Sequence, residues 1–241
     1  PLARHIVGAG RQTTEAGRQL KEIMRILMIV YNRVGKGTYW RALQLARVAA
    51  EHEHDVTLMA TSQSARWGIN SLEDEPNLTI VEVPNIIGGP LSAGWDPLNL
   101  LARLAWRSQE HRPFDIVHAF ECRPAVIIPA LTAQRRDQAK LIIDWCDWFG
   151  RGGAVEERQN PLMRTLLRSA ETFFEEHFRT YADGTTVICS TLRRFAVELG
   201  VPEETIMDLP NGSDTQRLSP VPLREARREL GLDNEMPVVG Y

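Results

Sequence analysis

Three stretches of this 241-residue chain combine residue types that can do chemistry, and each follows an apolar run. The first is Asn32-Arg33-Val34-Gly35-Lys36-Gly37-Thr38, which leads straight into the helical pattern YWRALQLARVAAEH. Glycines let the backbone approach a ligand, a helix N-terminus offers unpaired N–H groups with a partial positive charge, and Lys36 adds a full one. The natural tenant is an anion; a tight strand-to-helix turn with Lys36 in solvent fits the same spacing. The second is His118 in DIVHAFE, at the carboxyl end of an apolar run. It could hydrogen-bond a sugar hydroxyl or phosphate, or act as a general base; a histidine satisfied by neighbouring backbone would look the same. The third, DWCDWFGRGG, sets Asp144 and Asp147 among aromatic rings including Trp148. Rings stack on sugar faces and carboxylates accept hydroxyl protons, so this suits a carbohydrate acceptor. The tryptophans could instead simply cover a sheet.

Stronger phosphate signatures are missing. No Gly stands at the required position upstream of a Gly-Lys pair, so the first loop is not a Walker-type GxxxxGK[ST]. Nor is it GxGxxG, because Trp40 occupies the place of the third glycine, and Gly8-Ala9-Gly10 has no strand before it. A nicotinamide site has little support. The 28 basic against 31 acidic residues give a net charge of −3, which argues against binding a nucleic-acid backbone. Three cysteines, Cys122, Cys146 and Cys189, are too scattered for a disulfide framework or a zinc site and suit a reducing, cytoplasmic setting. No apolar run approaches the roughly 20 residues needed to span a bilayer.

The elements that must position these loops are readable. Apolar runs at Arg25–Tyr31, Asp55–Ala60, Leu78–Val83, Asp115–Ala119, Lys140–Trp145, Thr185–Cys189 and Thr205–Leu209 alternate with helical patterns, the signature of βαβ units. The expected fold class is α/β, with a Rossmann-like parallel sheet and helices on both faces. Helix starts are expected after Thr38, at Asp96-Pro97, at Asn160-Pro161 and after Ser190, with Gly200 closing the last. The helix from Pro161 places Leu162, Leu166, Leu167, Ala170, Phe173, Phe174 and Phe178 apart from Arg164, Arg168, Glu171 and Glu175. Its mixed charge favours a core-packed amphipathic helix over a membrane-surface one, although peripheral membrane contact stays open. Residues 1–23 are polar and aperiodic and read as a leader outside the fold. The folded domain is expected over 24–215, a linker and short helix over 216–236, and the opening strand of a further domain at 237–241.

Together these pieces resemble group 1 (family 4) glycosyltransferases. MRILMIVYNRVGKGTYWRALQLARVAAEHEHDVTLMA is similar to the family's opening strand, Gly-rich loop, helix and second strand. FDIVHAF resembles its D-V-V-H-A-H strand, with Phe120 in place of the second histidine. GTTVICSTLRRFAVELGVPEETIMDLPNGSD resembles its V-S-x-x-L-R helix, G-V-P turn and P-N-G-x-D loop, and REARRELGLDNEMPVVGY the start of its second domain. The resemblance implies the N-terminal half of a GT-B fold that shapes the acceptor site, in an enzyme transferring sugar with retention from a nucleotide-diphospho-sugar and using no metal or other cofactor. It matches Gly35 and Gly37 to the donor-phosphate or acceptor loop and His118 to the histidine near the transferred sugar; Lys36 and Thr38 join that loop by their position and chemistry. Asp144, Asp147 and Trp148 are the candidate acceptor contacts, while Asn211 and Gly212 match an interdomain loop. The implied partners are the nucleotide-sugar donor, a carbohydrate or lipid-linked acceptor, and a C-terminal domain carrying the family's diphosphate-binding residues. Without that domain the chain is expected to bind acceptor weakly and catalyse little. A stand-alone acceptor-binding half served by a separate partner, and another GT-B-like enzyme such as a sugar-nucleotide epimerase, are the alternatives.

Overall fold

The computed structural model describes residues 22–64, 67–87, 94–213, 219–232 and 236–238. The leader, apart from Glu22 and Ile23, and most of the stretch 237–241 lie outside them. The chain divides into two units, Pro1–Pro210 and Asn211–Tyr241.

The first unit is built on an eight-stranded sheet in the order β3-β4-β2-β1-β5-β6-β7-β8. Its strands are β1 (Arg25–Arg33), β2 (Asp55–Thr61), β3 (Asn70–Glu75), β4 (Leu78–Val83), β5 (Ile116–Phe120), β6 (Lys140–Trp145), β7 (Gly184–Val187) and β8 (Ile206–Asp208). All pairings are parallel except β3 with β4. The seven expected strands are all present with ends shifted by a few residues. The edge strand β3, NSLEDE, was not anticipated, because it is almost wholly exposed and so carries no apolar alternation. An acidic antiparallel edge also protects a parallel sheet against further pairing.

Successive side chains of β1 feed opposite faces. Ile26, Met28 and Val30 pack with Tyr39, Ala42, Leu43 and Ala46 of helix α1 (Tyr39–Glu51), while Leu27 and Ile29 pack with Val126, Ile127 and Ala130 of helix α3 (Pro124–Asp137). Helix α2 (Pro97–Gln109) lies against α3, and helix α4 (Pro161–His177) adds Phe174 to the α3-side core. Helix α5 (Ser190–Glu198) packs Leu192 and Ala196 on Trp145 and Val187. The second unit contains helix α6 (Leu223–Glu229).

The start signals act unevenly. Asp96 accepts from the N–H groups of Leu98 (2.8 Å) and Asn99 (3.2 Å), and Asn160 from that of Leu162 (3.0 Å). Thr38 makes no capping bond, since its hydroxyl is used elsewhere, and α5 begins at Ser190 itself. Gly200, at φ +93°, closes α5 as expected. Helix α3 left no period in the sequence because it is buried nearly all round and carries Pro129 inside.

Candidate functional site

The strand order turns back at β1, whose neighbours are β2 on one side and β5 on the other. In open α/β sheets this is where a crevice opens beyond the carboxyl ends of the strands. The loop after β1 lies there. Val34 N–H is held by the Thr61 carbonyl (2.9 Å) and Lys36 N–H by the Arg33 carbonyl (3.0 Å). Gly35 (φ +77°) and Gly37 (φ +57°) then take left-handed conformations, and a Cβ on Gly37 would lie 2.4 Å from Asn32 Nδ2. Among the described residues none accepts from the N–H groups of Gly35, Gly37 or Thr38. Lys36 is exposed beside them. The result is a set of N–H groups left without an acceptor among the described residues at the start of a 13-residue helix, suited to an anion.

The first and third stretches meet at this point. The buried Thr38 hydroxyl lies 3.7 Å from Cys146 Sγ, and an Asp147 carboxylate oxygen lies 4.0 Å from the same sulfur. Asp147 is exposed. Partial desolvation by the rim raises its carboxyl above the usual aspartate range, opposed by Arg123 and, more weakly, by the Thr38 hydroxyl, with the Asp144 charge adding to the rise. A hydroxyl, a carboxylate and free N–H groups therefore converge on one edge of the sheet.

The other expected residues are engaged differently. Asp144 is fully buried and forms a two-pronged pair with Arg41 of α1 (2.9 and 2.8 Å), while Thr186 of β7 donates to its Oδ1. Arg41 also reaches the Leu209 carbonyl at 2.7 Å, so Asp144 ties α1 to β6, β7 and the end of β8. Trp148 is half-buried with its ring edge-to-face with Phe195 (4.6 Å), and a Cβ on Gly152 would come within 2.8 Å of it. His118 is 7% exposed and stacked on Phe120, centroids 4.4 Å apart, with no partner for Nε2. Burial pushes it down to about 4, with Asp144 opposing and Arg41 assisting, so at neutral pH it is an uncharged imidazole one strand alternation behind the rim. Asn211 and Gly212 are exposed and belong to the second unit.

Beneath the rim lies a layer of buried charge that the sequence reading did not assemble. Glu175 of α4 accepts from the Trp145 indole (3.1 Å) and the Phe149 N–H (3.0 Å), and also from the Gly150 N–H. Glu171 pairs with Arg123 (3.3 Å) and Arg158 (3.0 Å), and Arg123 lies over the rings of Tyr31 and Phe149. Arg179, fully buried, pairs with Glu121 at 3.0 Å. The expected polar face of this helix is thus partly its buried face, whereas Leu162 and Phe173 are exposed. The available signal was the i, i+4, i+8 spacing of Glu171, Glu175 and Arg179, which lines one side of a helix and its continuation.

Glu121, Cys146 and Asp147 bring ligand-type atoms within 4.8 Å of one another. Arg179 and two backbone N–H groups already saturate the Glu121 carboxylate, and burial with its acidic neighbours keeps the Cys146 thiol protonated. That donor set does not suit a cation.

Comparison with known proteins agrees with this architecture. The glycosyl transferase 4-like domain family matches residues 36–212. Sucrose-phosphate synthase from Thermosynechococcus elongatus superposes with a TM-score of 0.64 at 13% identity, covering 89% of this chain and 54% of that one. A glycosyltransferase from Rickettsia africae gives 0.52 at 14% identity, covering 90% and 52%. The chain therefore spans about half the length of these solved structures. No match was found among curated proteins. With the eight-stranded α/β sheet and the family's model matched over most of its length, this chain belongs to the glycosyl transferase 4-like domain family and has the Rossmann-like fold of a GT-B half.

Proposed function

We propose that the chain is the acceptor-side half of a glycosyltransferase that moves sugar, with retention, from a nucleotide-diphospho-sugar to a carbohydrate or lipid-linked acceptor. The observation that carries this reading is the convergence of the Gly35, Gly37 and Thr38 N–H groups with the Asp147 carboxylate at the switch point of a glycosyltransferase-family sheet. In a front-face reaction the leaving phosphate gathers negative charge, and prearranged N–H dipoles with Lys36 are placed to stabilise it. Asp147 accepts a hydroxyl of the acceptor. Asp144 serves by fixing α1 through Arg41. Contact between His118 and the transferred sugar requires local movement, because the imidazole is 7% exposed and stacked on Phe120. Trp148 has its ring packed against Phe195, so a sugar would share it with that contact.

This reading uses no metal and no cofactor beyond the donor. The C-terminal domain of a GT-B enzyme supplies most of the donor contacts. Among the described residues no helix is long and apolar enough to cross a membrane. Nothing specific favours peripheral membrane contact: on and beside α4, Arg151, Arg158 and Arg168 are paired with Glu176, Glu171 and Glu156.

The test is a panel of nucleotide sugars, scored for thermal stabilisation of this chain and for sugar transfer or hydrolysis by a polypeptide extended past Tyr241. One donor should stabilise the wild type and fail with Gly37→Ala, and transfer should need the extension. Stabilisation by none, with no turnover from the longer chain, contradicts the reading. Full transfer by the 241-residue chain alone contradicts its assignment as one half of the enzyme.

A further inference from the structure

At the point where β5 gives way to the rim stands a glutamate in a left-handed conformation. Glu121 has φ +73° and is 1% exposed, a conformation strained for any residue carrying a Cβ. Its N–H continues the sheet ladder to the Asp144 carbonyl at 3.1 Å. Its carboxylate turns across the exit of the next strand. Oε1 accepts from the N–H groups of Cys146 (2.9 Å) and Asp147 (3.0 Å) and lies 3.3 Å from the Cys146 thiol. Oε2 accepts from Arg179 at 3.0 Å. Arg179 lies 4.1 Å over the Trp145 ring and donates to the carbonyls of Glu175 (3.1 Å) and Asp144 (3.2 Å).

A buried ion pair gives no more stability than apolar packing of the same shape, and the two loop N–H groups need an acceptor but not a charged one. A strained, buried glutamate that captures two consecutive N–H groups is suited instead to fixing geometry. The side chain carried by the second of those N–H groups is Asp147, whose carboxylate and the Thr38 hydroxyl of the anion loop both lie against Cys146 Sγ, at 4.0 and 3.7 Å.

We infer that Glu121 is a positioning residue that holds the Cys146–Asp147 backbone so that the Asp147 carboxylate stays against Thr38, where it meets the acceptor. The inference rests on the proposed role of Asp147 and the Gly35–Thr38 loop. Glu121 acts through Asp147 and touches no substrate. Its acceptor oxygen, rather than its charge, performs the task.

Two double variants separate oxygen from charge: Glu121→Gln with Arg179→Met, and Glu121→Leu with Arg179→Met. Each removes both charges of the pair, and in both variants Glu175 loses its Arg179 neighbour equally, so the two differ only in the oxygen at position 121. The readout is the side-chain carboxyl titration of Asp147, followed by NMR in this chain. The glutamine variant should keep the raised wild-type midpoint, while in the leucine variant the midpoint should fall to that of an exposed aspartate. An unchanged midpoint in the leucine variant, or the same fall in both, overturns the inference. A measurement on the wild type covers the case in which a variant does not fold. The Cys146 and Asp147 amides should exchange with solvent as slowly as those within β6, and fast exchange at both also overturns it. Asp147→Asn, assayed for transfer in the extended protein, tests the underlying reading separately: unchanged transfer removes Asp147 from the site whatever the titrations show.

Discussion

Helices α1 and α4 both support the rim, and they do so by opposite means. Helix α1 buries Tyr39, Ala42, Leu43, Ala46 and Ala50 and no carboxylate, while Trp40 and Val48 are each 52% exposed, Arg41 clamps Asp144 and Arg47 pairs with Asp74 and Glu75. Helix α4 buries Glu171 and Glu175 and leaves Phe173 51% exposed. Helix α2 follows α4, with Asn99, Arg103 and Arg107 inside and Leu101 60% exposed. The difference lies in what each helix must hold. The first packs on strand side chains, for which apolar area suffices. The other packs on irregular backbone after β5 and β6, whose N–H groups need acceptors when water is excluded. Polar residues become interior where the fold must fix loops rather than strands.

The sharpest way to break this comparison is to remove one buried carboxylate from α4. Glu175→Ala leaves the Trp145 indole and the Phe149 and Gly150 N–H groups without their acceptor, and should destabilise by about 4 kcal/mol in urea unfolding. A loss below about 1 kcal/mol would mean that α4 packs as α1 does. For reference, Leu43→Ala on α1 should cost about 3 kcal/mol through an ordinary cavity.

Next in size is the acid response of the α1 side. His118 binds its proton at about 4 when folded and near 6.5 when unfolded, so its contribution is complete above the unfolded value and is lost as pH falls towards 4. The stability of the wild type relative to His118→Phe should drop by about 3 kcal/mol between about pH 7 and about pH 4. Glu121, raised by burial to about 7, works in the opposite sense, and its contribution fades as pH rises through that value. Using the difference between wild type and variant isolates the histidine. A flat difference would place His118 in contact with water.

The smallest effect is expected at the exposed ring. Phe173→Ser should cost only about 1 kcal/mol, since the half-exposed ring stacks on His177 (4.9 Å) and meets Phe174 and Phe178 edge-on, even though the sequence places this residue with the apolar set of α4. A loss above about 2 kcal/mol in the same unfolding measurement would return Phe173 to the core.

The same contrast explains what could be read in advance. The parallel strands, α1 and the Asp96 and Asn160 caps were legible because apolar periodicity and capping chemistry are local. The loop Gly35–Thr38 was legible for the same reason, since only glycine takes its left-handed turns without strain. Asp144 was read as a ligand contact, but its partner Arg41 lies 103 residues away and no local signal joins them. Glu121 and Arg179, 58 residues apart, were invisible as a pair for the same reason. The polarity of α4 was misread because amphipathic reasoning assumes that carboxylates seek water, and here they meet stranded backbone donors.

The central claim is that the N–H groups of Gly35, Gly37 and Thr38 form an anion site beside Asp147. The most direct measurement is a titration of the 15N-labelled chain with inorganic pyrophosphate, followed amide by amide. The amides of Gly35, Gly37 and Thr38 should shift together and saturably, with those of Cys146 and Asp147 following, and Gly37→Ala should abolish the response. Shifts spread over exposed lysines and arginines, or unchanged loop amides at saturating pyrophosphate, would contradict it.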